Sequence, residues 1–180
     1  MLPELSQAPT IKPSLTFQDS LTVYLGKREV RVLFLGRGNT GGDALVYVPD
    51  AKVLMTGDLV VHPAPYAFGS FIGEWGPTLR KAMAIDATSI VPGHGPVMHD
   101  TTYLRLLADL VESMAAQAKE AAKEGLSLED ARKKLDVQRF REQFAHGDEK
   151  TGKAFHGFFL GPGFPRAYRE AKEGPLHDET

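Results

Sequence analysis

Three short segments of this 180-residue chain set a chemically competent side chain among glycines at the end of an apolar run. Residues 33–35 lead into Gly36-Arg37-Gly38-Asn39-Thr40-Gly41-Gly42-Asp43. Residues 53–56 lead into Gly57-Asp58. Residues 89–91 lead into Pro92-Gly93-His94-Gly95-Pro96. Strand ends that converge on one sheet edge are a common mounting for catalytic and metal groups. A carboxylate and an imidazole are proper donors for Zn²⁺ or Fe. Each segment alone has a plainer reading. Gly57-Asp58 also fits a turn or a helix cap, and His94 also fits a buried structural histidine. The Gly36–Asp43 run resembles a phosphate-cradling loop, but it lacks the P-loop lysine and no helical pattern follows it.

Composition narrows the chemistry. The chain has no cysteine, which excludes disulfides, Cys-based zinc sites, iron–sulfur clusters and a Cys nucleophile. Any metal must be held by His, Asp and Glu. With 21 Lys plus Arg against 23 Asp plus Glu, the net charge of −2 argues against nucleic acid or a membrane surface as partner. No apolar run approaches the ~20 residues needed to cross a bilayer. The first residues lack the basic and apolar regions of a signal peptide, so a cytoplasmic location is the default expectation.

The elements that must position these groups follow from pattern. Residues 1–14 read as a loose lead-in. Runs at 15–17, 21–25 and 29–35, joined by short turns, predict an antiparallel meander. Runs at 44–48 and 53–56 flank Pro49-Asp50-Ala51-Lys52 and predict a hairpin. Residues 62–76 read as a long surface loop carrying Tyr66, Phe68, Phe71 and Trp75. Pro77 suits the first turn of a helix over 78–85, and 89–91 reads as a short strand. Leu104, Leu107, Ala108, Val111, Met114 and Ala115 recur at helical spacing and predict a helix over 102–124. Ser127 with Asp130 three residues on resembles a capping box for a helix to about 135. From Asp136 the pattern is less regular. The aromatics there (Phe140, Phe144, Phe155, Phe158, Phe159, Phe164, Tyr168) read as core and docking groups.

Taken together, Leu-Gly-Arg-Gly-Asn-Thr-Gly-Gly-Asp, Val-Leu-Met-Thr-Gly-Asp-Leu-Val and Ile-Val-Pro-Gly-His-Gly-Pro-Val resemble the second half of a metallo-β-lactamase-fold protein. The resemblance covers roughly 15–125 and leaves 126–180 as a helical or irregular extension. It implies an α+β architecture: half of an αβ/βα sandwich, mostly antiparallel, with helices on one face and a helical C-terminal tail. It implies hydrolysis by metal-activated water at one or two zinc ions. Asp58 matches the metal-bridging, catalytic aspartate and His94 a late histidine ligand. Asn39 stands where the family has a histidine ligand, so that ligand position is lost to substitution. The earlier His-x-His-x-Asp-His motif occurs nowhere in the chain. The implied metal site is therefore incomplete in this chain. The expected partner is a second copy, giving a homodimer, or a missing N-terminal half. If active, the protein takes a small-molecule substrate, with His62, Tyr66, Phe68 and Trp75 as possible pocket residues. The alternative is a non-catalytic binding or scaffold module derived from that fold.

Overall fold

A computed structural model describes residues 12–177. The expected lead-in is therefore described only from residue 12, and residues 1–11 lie outside the described part. Five strands form a single sheet in sequence order: β1 Ser20–Leu25, β2 Arg28–Phe34, β3 Ala44–Val48, β4 Val53–Val61 and β5 Ser89–His94. The first four pair antiparallel, and β4 pairs with β5 in parallel. That parallel pair requires a crossover, which α1 (Ile72–Met83) supplies. α2 (Thr102–Lys123) follows, then α3 (Leu128–Lys134), α4 (Gln138–Ala145), α5 (Glu149–Ala154), a π-helical segment over Phe155–Leu160, and α6 (Gly161–Glu173). The predicted run at 15–17 forms no strand.

The strand register separates two faces. The row Leu33–Leu45 and the row Tyr47–Leu54–Ile90 point into the core with the helices, where Leu45 and Leu54 are fully buried. Beyond the reach of the helices, the same face turns polar at Thr22 and Arg31. The opposite face carries Leu21, Val32, Val46, Met55 and Val91 in one row across all five strands. Val23 and Val30 extend that face on β1 and β2. An antiparallel sheet with one solvated face shows polar residues there. This one shows a continuous apolar surface, and Met55 on an interior strand is 39% exposed.

The helical layer differs from expectation at the start of α1. α1 begins at Ile72, not at 78, so Pro77 lies inside the helix and Trp75 belongs to it. Glu170 of α6 makes the early start possible, since its carboxylate accepts from the N–H groups of Ile72 (3.0 Å) and Gly73 (2.6 Å). These are two of the four donors that a helix start leaves without partners. A Cβ on Gly73 would meet that carboxylate at 2.9 Å, so glycine leaves room for the cap. Burial pushes the Glu170 carboxyl above its ordinary value, against those two bonds. Glu170→Ala strands both donors, and denaturant unfolding should show a loss of about 1–3 kcal/mol.

The tail agrees with the expected helical extension and its core-forming aromatics. It is helical through most of its length, and Phe140, Phe144, Phe155, Phe159, Phe164 and Tyr168 join the same core cluster as Leu45 and Trp75. α6 packs on α2 and α1. Ser127 caps α3 as expected, its hydroxyl accepting from Asp130 N–H at 3.1 Å.

Candidate functional site

The site is built where β4 and β5 end. Gly57 adopts φ +53°, a left-handed conformation that favours glycine. There the parallel ladder shifts register between Met55 and Gly57, and again between Gly57 and Val61. Asp58 therefore lies on a bulged stretch inside β4 rather than past its end. β5 answers with Gly93, whose missing side chain lets the two backbones close up. A Cβ there would sit 2.0 Å from Asp58 Oδ1 and 2.7–2.8 Å from the Gly57–Asp58 backbone.

The outcome is a carboxylate–imidazole pair. His94 Nε2 lies 3.5 Å from Asp58 Oδ1, and both side chains are about half exposed. Backbone contacts hold the frame. His62 N–H donates to the His94 carbonyl at 3.0 Å. Tyr103 donates to the Val61 carbonyl at 2.6 Å, and the Trp75 indole N–H donates to the Leu59 carbonyl at 3.1 Å. Gly93→Ala should force the strands apart, at a cost on the order of 1–3 kcal/mol. It should also break the Asp58–His94 contact. Loss of the Asp58-dependent shift of the His94 ring resonances in NMR would report that break; an unchanged His94 environment would contradict it.

The Gly36–Asp43 loop is clamped beside this pair. Phe71 N–H donates to the Gly38 carbonyl at 2.7 Å, and the Thr78 hydroxyl to the Arg37 carbonyl at 2.8 Å. Gly38 rests against Leu59 and Trp75, so the loop presses on β4 one residue beyond Asp58. Asn39 is 9% exposed. Asp43 turns inward to accept from Thr40 N–H (3.0 Å) and the Thr40 hydroxyl (2.7 Å). Burial pushes its carboxyl up, and the charge of Asp58 adds to that push. Asp43 thus shapes the loop rather than offering itself to solvent.

The expected pocket residues divide. His62 lies at the site, its ring 5.1 Å from that of Tyr103. Burial, with help from nearby His146, holds its pKa below the ordinary histidine value. Tyr66 stands 5.5 Å from the His94 ring, and Phe68 lies next to Tyr66 at 6.3 Å. Trp75 is a correction: it is fully buried and packs on Phe159, so it supports the site from the core and lines no pocket. The 62–76 loop is likewise shorter than expected, because α1 begins at Ile72 and takes its last five residues. Sequence reasoning missed Phe158 and Lys150. Both come from the tail and reach the site only through tertiary packing, so no local spacing points to them.

The donor set limits what can be held. Among the described residues, no group of three or more His, Cys, Asp or Glu side chains is placed to hold one metal ion. A catalytic zinc takes three protein ligands. Asp58 and His94 supply two, so the described residues do not by themselves fit a catalytic zinc.

A mixed sheet with helices on one face, an open apolar face opposite, and a carboxylate–imidazole pair at the ends of two parallel strands define half of a metallohydrolase-type sandwich. The metallo-beta-lactamase superfamily model matches residues 2–114, and the chain belongs to that superfamily. It is similar in structure to a metallo-beta-lactamase from Pontibacter korlensis, at 26% identity and a TM-score of 0.51. That match covers 61% of this chain and 52% of the other. The DIM-1 metallo-beta-lactamase shares the fold at 24% identity and a TM-score of 0.50, covering 62% of this chain and 53% of that one. The chain spans about half the length of the solved structures it matches. No curated protein matches it. No helix among the described residues is long and apolar enough to cross a membrane.

Proposed function

We propose that this chain is the donor-poor half of a metal-dependent hydrolase of small molecules, and that a partner seated on the open sheet face completes its site. The observation that carries the reading is the convergence of Asp58 and His94 to 3.5 Å from two different strands. Two exposed, glycine-flanked groups of these types have no packing task that would hold them there. Zinc is the metal such donors suit, and its remaining ligands must come from outside this donor pair. The open row through Val32, Val46 and Met55 gives the partner its place, because apolar surface of that extent is costly in water. A second copy fits this face, since an apolar row without charge is self-complementary about a two-fold axis. Two copies would bring two aspartates and two histidines.

Asn39→His tests whether the clamped loop belongs to the same site. An added imidazole donor should raise Zn²⁺ affinity roughly tenfold or more, read by competition with a chromophoric chelator. Unchanged affinity and stoichiometry would remove Asn39 from the site. The second reading, a binding module without catalysis, is favoured by one observation: the exposed ring cluster of Tyr66, Phe68 and Phe158 beside His94.

A further inference from the structure

We propose that the C-terminal extension completes a binding cleft for an aromatic carboxylate beside the Asp58–His94 pair. The inference rests on the proposed function for the fate of the ligand, but not for its binding. The cleft has a volume of about 310 Å³. One wall comes from the segment after β4, with His62 and Tyr66. The other comes from α5 and the π-helical segment, with Lys150, Thr151 and Phe158. The family match ends at residue 114, so this second wall lies wholly outside it. The Ala67 N–H donates to the Phe158 carbonyl at 2.8 Å and fastens the two walls together.

Tyr66 and Phe158 give the lining its rings, and Phe68 packs beside both. Tyr66 and Phe158 meet edge to face at 5.4 Å, and Phe68 lies 6.0 Å from Phe158. Phe68 is 61% exposed and Phe158 43% exposed. Two touching phenylalanines left in water next to a functional pair mark a place that a ligand covers. A flat aromatic group meets such rings in offset or edge-to-face contact.

Charge selects the class of ligand. Among the described residues that line the cleft none is acidic, and Lys150 is one of them. The nearby Asp148 carboxylate, whose charge Lys150 also meets, accepts from Thr151 N–H and hydroxyl at 2.7 and 2.6 Å. A cationic ligand would face Lys150 without a partner. An anionic one gains it, with its ring on Tyr66 and Phe158.

The test is titration of the full chain, in metal-free buffer, with 2-naphthoate and with its neutral analogue 2-naphthylmethanol. Hydrolysis of naphthyl esters is scored separately with added Zn²⁺. The expected result is saturable binding that prefers the carboxylate. Phe158→Ala and Phe68→Ala should each weaken both ligands, by roughly fivefold. Lys150→Gln should abolish the preference while leaving the alcohol's affinity in place. Both phenylalanines are exposed, so the fold should survive, and a circular dichroism melt checks that. Absence of 2-naphthoate binding, or binding indifferent to Phe158→Ala, overturns the inference. Binding without ester hydrolysis upholds it and counts against the hydrolase reading alone.

Discussion

Replacing Trp75 by alanine should cost the protein about 3–5 kcal/mol, a large part of the total stability of a domain this size. The indole is fully buried near the start of α1. It touches Phe159 from the tail and backs Gly38 of the clamped loop, so three regions lose a shared neighbour at once. The Leu59 carbonyl also loses its donor beside Asp58 and is left buried without a partner. Trp75→Phe should recover most of the packing but not the hydrogen bond, leaving a deficit of about 1–2 kcal/mol. Trp75 is the only tryptophan, so unfolding must be followed by circular dichroism rather than by indole fluorescence. A loss below about 1 kcal/mol would contradict the core role and return Trp75 to the surface pocket that the sequence suggested.

The second large effect concerns the open face. Met55→Lys places an ammonium within the apolar row, between Val46 on β3 and Val91 on β5. In one chain the lysine can reach water, because Met55 is 39% exposed, and its stem covers the same neighbours. In a two-fold assembly each lysine would be buried against its own copy without a partner charge. The dissociation constant should rise on the order of a hundredfold or more. Sedimentation velocity reads the effect directly, with the melting temperature as a check that the chain itself stays folded. Val23→Lys, on the edge strand and 37% exposed, should act in the same direction with a smaller effect. If Met55→Lys leaves association unchanged, the open face is not where chains meet.

Much of the sheet was legible because its signals are local. Residues 44–48 alternate between strong strand formers and are bounded by turn residues, and they form β3 as expected. Asp58 and His94 were legible for a similar reason: a glycine precedes each of them, and the structure gives those glycines work, a positive φ at Gly57 and a close backbone approach at Gly93. α1 was half hidden. Ile72, Trp75, Leu79 and Ala82 carry helical spacing, but the glycines at 73 and 76 read as loop, and Pro77 as the first turn of the helix. Gly76 is instead the point where α1 comes close to Glu112 of α2, and the cap on its first turn comes from Glu170, 98 residues away from Ile72. The tail had a usable signal as well. Phe140 with Phe144, Phe155 with Phe159, and Phe164 with Tyr168 are all spaced i, i+4 and all buried. Intervening glycines and prolines masked it. No local pattern could have placed Phe158 beside Tyr66, because that contact depends on how the tail folds back over the sheet.

We propose that the described residues of one chain offer a metal two donors, Asp58 and His94, and that a second copy covers the open face. Mass in solution together with elemental metal analysis, on protein purified with Zn²⁺ and then dialysed, tests it most directly. The expected result is a particle of twice the 19.7 kDa chain mass, holding at most one zinc per two chains. A monomer that retains a full zinc per chain would contradict it.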